Sequence, residues 1–332
     1  MTHADPRIDL DRAVQLLRTG AVVAFPTETV YGLGALALDP AAVARVFTTK
    51  GRPAHNPLIV HVDSIDMAKA LVRKWPDTAE RLARAFWPGP LTLVLPRAPI
   101  VPDLVTAGGN TVALRCPSHP LALELLHTLN APLVGPSANP SGSVSPTTAQ
   151  HIIDSFAGSV PVLDGGPCTR GIESTVLDLS TDPPAILRPG SVSADDLDRV
   201  LAPARVTPFH ARSASPTSHD AAPLRSPGLL ARHYAPHAPA RLATRDEIAE
   251  ALAREHPIAA ITLAPLDAPP AASSPAHIIA LSRDPAAYAA RLYAALREAD
   301  AHDPTAILIE PVPDDPAWDA VRDRLARACT PA

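Results

Sequence analysis

The chain has 332 residues, of which 46% are hydrophobic and 19% charged, and its net charge is −5 with histidine neutral. This length predicts two domains rather than one hydrophobic core, and the composition excludes a disordered chain. The negative charge argues against a large surface for nucleic-acid phosphates and leaves room only for a local basic pocket that binds one small anion. Three widely spaced cysteines, Cys116, Cys168 and Cys329, indicate neither a disulfide framework nor a zinc site.

The amino-acid sequence shows no targeting signal and no membrane-spanning segment. The first ten residues lack the apolar core of a signal peptide, and no run approaches the roughly 18 apolar residues of a membrane span. We therefore expect a cytoplasmic protein.

In chain order, the first 200 residues alternate between the periods of helices and strands. Helices are expected at 8–20, 40–47, 64–74, 77–86, 119–129 and 146–156. Strands are expected at 21–25, 57–62, 91–95, 111–115, 132–135, 160–163, 175–179 and 185–188. This interleaving predicts an α/β fold in which helices cover a sheet, but it leaves the strand order open.

A stretch rich in Pro, Ser, Ala and Thr follows, from about 202 to 227, and its lack of an apolar period predicts a linker. Beyond it, helices at 245–255, 285–297 and 315–328 and strands at 257–263, 277–281 and 305–309 predict a second, smaller α/β unit. We therefore divide the chain into a domain at 1–202, a linker at 203–236 and a C-terminal domain at 237–332.

Two early motifs carry polar side chains next to strands. The segment PTETVYGLGA, 26–35, places polar groups on a turn whose glycines, Gly32 and Gly34, permit a close approach of the backbone. It is not a dinucleotide fingerprint, because the third glycine is missing, and a polar turn without a ligand is the alternative. Lys50, one of only three lysines, and Arg52 flank a glycine in a loop stiffened by prolines, so they are candidates for gripping a polyphosphate. An exposed basic turn is the alternative. His61 follows in a strand, where a lone histidine is more often structural.

Four later motifs add further candidate binding residues. Arg115 closes an apolar strand, where its guanidinium would bind either a ligand carboxylate or an acidic side chain of the protein. The loop that contains Ser137, Asn139 and Ser145 precedes a helix expected from about residue 146, whose free amides would favour an anion. Ser174 in GIESTV and Arg188 in ILRPGS lie beside other expected strands.

Signatures of covalent catalysis do not occur. The sequence has no GxSxG elbow, Walker A loop or HExxH motif. The loops of hydroxyls, glycines and fixed cations favour an enzyme that positions two or three polar substrates near a nucleotide without a covalent nucleophile.

Taken together and in this order, the segments PTETVYGLGA, KGRPAHNPL, WPGPLTLVL, PSAN, GIESTV and LRPG resemble the YrdC family of threonylcarbamoyl-AMP synthases over residues 8–200. SPGLLARHYAP, 226–236, is similar to the linker of the long form, which carries an extra C-terminal domain. The resemblance implies a twisted mixed sheet with flanking helices and a smaller, Rossmann-like α/β domain.

The activity implied by the resemblance is the synthesis of L-threonylcarbamoyl-AMP from L-threonine, bicarbonate or CO2, and ATP, with release of pyrophosphate. Mg²⁺ would be held mainly by the ATP phosphates, with no protein ligand and no organic cofactor. The product would pass to a transferase complex that modifies the adenosine next to the tRNA anticodon, and direct tRNA binding stays open.

The resemblance also implies site residues. Threonine would be bound by Thr27, His61, Arg115, Ser137 and Ser174. ATP would be bound by Lys50, Arg52, Ala54, Thr111, Gly135, Asn139, Ser145, Arg188 and Tyr234. Tyr234, with His233, would act as a lid that keeps water from the mixed anhydride.

Two other functions were weighed. Carbamoyl transfer in hydrogenase maturation uses a similar domain, but within a larger protein with zinc-binding cysteine pairs that this chain lacks. Binding of double-stranded RNA would use a concave surface of the domain, but the acidic balance and the scarcity of lysine argue against it.

Overall fold

The structure is a computed structural model that describes residues 5–209, 232–253, 257–266 and 277–331. These residues form two compact units. The N-terminal unit comprises Met1–Ser141, Pro146–Thr169 and Glu173–Leu229, and the C-terminal unit comprises Gly142–Ser145, Arg170–Ile172 and Leu230–Ala332, each within the described ranges. Most of the expected linker, at 210–231, lies outside the described residues, so its boundaries remain a prediction.

A ten-stranded mixed sheet forms the centre of the N-terminal unit. Its strands are β1 (Arg7–Ile8), β2 (Val23–Phe25), β3 (Gly32–Leu36), β4 (Ile59–His61), β5 (Leu91–Pro96), β6 (Thr111–Arg115), β7 (Leu133–Val134), β8 (Val162–Leu163), β9 (Thr175–Asp178) and β10 (Ala185–Arg188). They are arranged in the order β1-β8-β2-β3-β7-β4-β6-β5-β9-β10. Parallel and antiparallel pairs alternate irregularly, and β6 pairs parallel with β4 and antiparallel with β5.

Among the described residues of the N-terminal unit, seven helices accompany this sheet. They are α1 (Leu10–Arg18), α2 (Pro40–Lys50), α3 (Ile65–Lys69), α4 (Asp77–Phe86), α5 (Pro120–Leu129), α6 (Ala149–Ser155) and α7 (Ala194–Leu201). The end of α2 matters most for the site. Asp39 caps its first turn, and Gly51 ends it in the left-handed conformation with φ +59°. Lys50 is therefore the last residue of a helix rather than part of a loop.

The strand β3 corrects the interpretation of PTETVYGLGA as a polar turn, because Gly32–Leu36 is extended and pairs antiparallel with β2. Glycine is depleted in strands, yet this strand contains two. They are needed because the ring of Phe25 lies against them: a Cβ on Gly32 or Gly34 would approach ring carbons to 2.8 or 2.9 Å. Packing against the ring of Phe25, rather than the strand propensity of glycine, therefore explains the residue type at both positions.

The helix expected from residue 146 also begins later than predicted. α6 starts at Ala149 with Thr148 as its cap and has only seven residues. Residues 146 and 147 adopt no helix, so Ser145 does not lie at a helix N-terminus and the anion site expected there is wrong in that detail.

The C-terminal unit is a smaller α/β domain. Its parallel strands are β11 (Ala240–Leu242), β12 (Ile258–Thr262), β13 (His277–Ala280) and β14 (Ala306–Ile309), in the order β11-β14-β12-β13. Its helices are α8 (Arg245–Leu252), α9 (Pro285–Asp300) and α10 (Asp319–Ala328). The two predicted α/β units are thus confirmed. In the described part of the chain, no helix has the length and apolar character needed to cross a membrane.

Candidate functional site

The candidate site is built on one face of the large sheet. Four side chains from adjacent strands form a small apolar cluster there, separate from the main core, and they define its floor: Ile59, Val94, Ala113 and Val176. Strand register places polar residues beside this floor, because side chains two apart on a strand share a face. His61 and Arg115 are partners on β4 and β6, at the carboxyl ends of both strands.

Arg115 is the centre of the polar side of the floor and is only 3% exposed. Its Nη2 lies 2.6 Å from Oε1 of Glu28. Nη1 donates to Oγ1 of Thr29 at 2.8 Å, and Nε donates to the carbonyl of Gly89 at 3.3 Å. A guanidinium has five N–H donors, so these three contacts leave donors for a ligand carboxylate. Arg115 therefore makes the structural ion pair that the sequence left open as an alternative, and it retains capacity for a ligand.

Glu28 is held as a carboxylate inside the protein. Its burial raises the pKa, but the charge and hydrogen bond of Arg115 outweigh this effect, and the pKa lies below its usual value. The N–H of Ser118 also donates to Oε2 at 3.1 Å. Glu28 is not among the predicted site residues, although it belongs to the motif PTETVYGLGA.

Thr27 and Thr29 form a hydroxyl pair next to Arg115. Their Oγ1 atoms lie 2.9 Å apart, and Oγ1 of Thr27 accepts the N–H of Thr29 and donates to the carbonyl of Val30 at 2.6 Å. These local hydrogen bonds between side chain and backbone fix the orientation of the Thr27 and Thr29 hydroxyls. Through Thr29, the predicted residues Thr27 and Arg115 belong to one hydrogen-bonded cluster.

His61 is buried beside Arg115, with its ring edge-on to Phe25 at a centroid distance of 5.5 Å. Burial, followed by the charge of Arg115, lowers its pKa well below the usual value, so the imidazole is neutral. Nδ1 has no hydrogen-bond partner among the described residues. Gly135 lies against the ring, where a Cβ would approach Nδ1 to 2.7 Å, which explains why residue 135 carries no side chain.

A second polar cluster lies on the neighbouring strands β5, β9 and β10. Oγ of Ser174 lies 2.7 Å from Oγ1 of Thr92 and accepts a bond from Nη2 of Arg188 at 3.2 Å. Nε of Arg188 donates to the carbonyl of Ser174 at 3.1 Å. Thr92 and Ser174 lie opposite the end of β6 in the sheet register, so both clusters border the same floor. Thr92 was missed because an alternating strand gives no sign of which polar residue faces a ligand.

Lys50 binds the loop that follows β7. Its Nζ donates to the carbonyl of Ser137 at 2.6 Å and to that of Asn139, while its own carbonyl accepts the N–H of Ser141. Lys50 is 3% exposed, and burial together with Arg52 lowers its pKa well below the usual value. The structure thus brings three predicted residues together: Lys50, Ser137 and Asn139.

Arg52 and Thr111 lie at the other end of the strands. Arg52 donates to the carbonyl of Asn56 and, at 2.7 Å, to that of Pro57, just before β4. Thr111 begins β6, four residues and about 13 Å from Arg115 at the usual rise of a strand. Ala54 is exposed in the intervening loop. Ser145 and Tyr234 belong to the C-terminal unit.

Two cysteines lie near these clusters, but neither is reactive. Burial raises the pKa of the Cys116 and Cys168 thiols to about 12, so both stay protonated at neutral pH. The site therefore offers neutral hydroxyls, a neutral imidazole and fixed cations, which suits positioning of anionic substrates.

Comparison with known proteins agrees with this architecture. The Sua5/YciO/YrdC family model, described as "Telomere recombination", matches residues 15–190. The model described as "Threonylcarbamoyl-AMP synthase, C-terminal domain" matches residues 192–330. Both predicted domains therefore have a counterpart in known families.

Two curated relatives are named threonylcarbamoyl-AMP synthase. The protein of Pyrococcus abyssi is 47% identical over 227 residues, which are 68% of this chain and 65% of the relative. That of Bacillus subtilis is 45% identical over 237 residues, 71% of this chain and 66% of the relative. The aligned region thus spans just under two thirds of each relative's length.

Among solved structures, the crystal structure of P. abyssi Sua5 complexed with L-threonine has a TM-score of 0.86 and 38% sequence identity. The match covers 97% of this chain and 96% of that chain. Since the first family model covers more than half of the sequence and the second nearly all the rest, the chain belongs to the Sua5/YciO/YrdC family, in the long form that carries the C-terminal domain.

Proposed function

We propose that the protein synthesises L-threonylcarbamoyl-AMP and pyrophosphate from L-threonine, bicarbonate or CO2, and ATP. The observation that carries the proposal is the apolar floor bordered by Arg115 and His61, with the second cation, Arg188, three strands beyond Arg115 in the sheet. The names of the two curated relatives support the same reaction, as does the threonine complex of P. abyssi Sua5. The reaction would be the first step in the threonylcarbamoyl modification of the tRNA adenosine next to the anticodon.

The threonine half of the site would use the cluster around Arg115. The free donors of the guanidinium suit the carboxylate of an amino acid, and the geometry of Glu28 and Thr29 fixes the guanidinium before the ligand arrives. The neutral imidazole of His61 would accept a hydrogen bond, because its charge is suppressed by burial and by Arg115. Thr27, Ser137 and Ser174 add hydroxyls for the polar side chain.

The nucleotide half would use the remaining predicted cations and hydroxyls. Arg52 and Arg188 are the candidates for direct contact with phosphate, and Lys50 shapes the loop that contains Asn139. Thr111 at the far end of β6, backbone at Ala54 and Gly135, and Ser145 and Tyr234 complete the proposed set.

The proposed chemistry needs no covalent enzyme intermediate. The neutral threonine amine attacks the carbon of CO2 and loses one proton, or attacks bicarbonate with loss of water, and either route gives N-carboxythreonine, which keeps one N–H. A carbamate oxygen then attacks the α-phosphorus of ATP, the bond to the bridging oxygen breaks, and pyrophosphate leaves. The protein would contribute alignment of the two reactants and fixed positive charge, which act without a reorganisation cost.

Magnesium fits this scheme as a companion of ATP rather than as a resident ion. The residues proposed for the nucleotide are cations, hydroxyls and amides, which suit phosphate oxygens, whereas Mg²⁺ prefers carboxylate ligands. Mg²⁺ would therefore be bound through the phosphates, where it would supply charge neutralisation. The protein residues would orient the phosphates around it.

The test is pyrophosphate release from ATP by the full-length chain, measured with both threonine and bicarbonate and with each omitted. The proposal expects release only when both are present, together with a new adenylate that carries label from threonine. Arg199→Ala, on the exposed side of α7, serves as a control variant that should match the unmodified protein. Release at the same rate without threonine would rule the proposed reaction out.

A further inference from the structure

Two short segments of the motif-rich first 200 residues are built into the C-terminal unit. They are Gly142–Ser145 and Arg170–Ile172, and they flank site residues that lie in the N-terminal unit. The segment 232–236, which contains Tyr234, belongs to the same unit. Two residues proposed to bind ATP, Ser145 and Tyr234, are therefore positioned by the C-terminal unit.

The segment that ends in Ser145 is held by α9. Nη2 of Arg297 donates to the carbonyl of Val144 at 2.5 Å. That carbonyl and the N–H of Ser145 belong to one planar peptide group, so the bond fixes the orientation of the Ser145 amide. Ser145 itself is fully buried. Arg297 thus binds this peptide with a charged donor from outside the segment.

The same segment is joined to the residues around Tyr234. The N–H of Ala235 donates to the carbonyl of Gly142 at 3.0 Å, and Ser143 forms a parallel bridge with Ala235. Ser145 and Tyr234 thus occupy two backbone segments that hydrogen-bond to each other. A shift in one segment would be transmitted to the other.

Tyr234 is fixed in turn by α9 and α10. Its ring stacks on Tyr293 with centroids 5.5 Å apart, and the guanidinium carbon of Arg324 lies 5.5 Å from the ring centroid. Arg324 is fully buried and is paired with Asp323 at 2.9 Å. Tyr234 has φ +61°, an uncommon conformation for a residue with a side chain, which persists only where the surroundings enforce it.

From these contacts, all within the C-terminal unit, we propose that Arg297 is the positioning residue for Ser145 and Arg324 the positioning residue for Tyr234. The inference rests on the proposed ATP binding by these two residues. It gives the C-terminal unit a function other than binding a ligand of its own: α9 and α10 orient groups that meet ATP. Neither arginine is proposed to contact substrate.

The first test compares Arg297→Ala, Arg297→Lys and Arg291→Ala in the full-length chain. Arg291 lies on the same helix, is exposed and pairs with Glu298, so its loss should leave the kinetics unchanged. Arg297→Ala should raise KM for ATP about tenfold, as expected for a lost charged hydrogen bond, with KM for threonine within twofold of normal. Arg297→Lys, which can still donate to the carbonyl, should recover most of the loss. Equal rises in both KM values, or no rescue by lysine, would overturn the role.

The second test concerns Arg324, whose removal could also affect folding. Arg324→Lys and Arg324→Met are compared with Arg322→Met, a partly exposed arginine of the same helix. At temperatures below the measured melting point of each variant, Arg324→Met should weaken binding of a non-hydrolysable ATP analogue about tenfold in calorimetry, and Arg324→Lys should weaken it less. Unchanged analogue affinity in folded Arg324→Met would refute the positioning of Tyr234.

The two failures are distinguishable. If the unmodified protein releases no pyrophosphate with threonine, the proposed reaction fails, but analogue binding still reports on the positioning. If the unmodified protein is active and the arginine variants bind ATP normally, only the positioning inference fails.

Discussion

The carboxylate of Glu28 joins Arg115 to the backbone of Ser118: one oxygen lies 2.6 Å from the guanidinium, and the other accepts the Ser118 N–H at 3.1 Å. The arginine proposed to bind a substrate carboxylate is therefore already held by a protein carboxylate. Such preorganisation lowers the ordering cost of binding. It also means that removing either partner leaves a buried charge without compensation.

This pairing sets the expected behaviour of Arg115→Ala. The variant should lose threonine binding far more than ATP binding, and it should also lose about 3–5 kcal/mol of stability because Glu28 is left buried and charged. The double variant Glu28→Gln/Arg115→Met removes both charges, so it should recover much of the stability without recovering threonine binding. Calorimetric titration with each ligand and urea unfolding measure the two effects. Equal losses of threonine and ATP affinity would contradict the assignment of Arg115.

Glu28 also predicts a pH dependence of stability. Its pKa in the folded protein lies below the ordinary value of 4.5, so the unfolded chain takes up the proton first as the pH falls. The contribution of the ionised pair is complete above about pH 4.5 and is lost as the pH falls through the lower, folded pKa. The difference in unfolding free energy between the unmodified protein and Glu28→Gln should therefore shrink on acidification below pH 4.5. A difference that stays constant from pH 7 to pH 3 would show that Glu28 does not titrate in this way.

The sequence predicts the fold class and most element positions well, because apolar periodicity reports directly on burial. The strand at Thr111–Arg115 is recovered to the residue, and so is the helix at Asp77–Phe86. The strand at Gly32–Leu36 is not, since its glycines are selected by the ring of Phe25 on the neighbouring strand. Contacts of that kind depend on strand order, which periodicity leaves open.

In the candidate site, too, some residues could be selected from the sequence and others could not. Cations at strand ends, such as Arg115 and Arg188, could be selected because an isolated charge after an apolar strand is conspicuous. Glu28, which pairs with Arg115, and Thr92, whose hydroxyl contacts that of Ser174, could not, since each lies more than 80 residues from its partner and only the tertiary fold brings the two together. The individual ligand contacts of these residues stay predictions.

A third prediction concerns Lys50, whose Nζ donates hydrogen bonds to the loop at 137–141 and so stabilises its conformation. Lys50→Met removes the donor from the carbonyls of Ser137 and Asn139, and each buried group left without a partner costs about 1–3 kcal/mol. We expect a clear loss of stability in urea unfolding and weaker ATP binding. Lys69→Met, at an exposed lysine of α3, is the control and should be nearly neutral. If the two variants are equally stable, Lys50 does not secure the loop.

Substitution of Gly171 can distinguish the cost of a left-handed backbone conformation from the cost of a steric clash with a side chain. Gly171 and Gly142 belong to the same unit and have φ of +72° and +87°, so alanine at either position carries a conformational cost of about 1–2 kcal/mol. A Cβ on Gly142 would meet nothing within 4 Å, whereas on Gly171 it would lie 2.5 Å from Cα and the carbonyl oxygen of Ala290 in α9. Because those atoms are backbone, they cannot rotate away. Gly171→Ala should therefore lower the urea midpoint of the C-terminal unit well beyond the shift from Gly142→Ala. Equal shifts would mean that Gly171 is selected by its φ alone and that α9 does not pack directly against it.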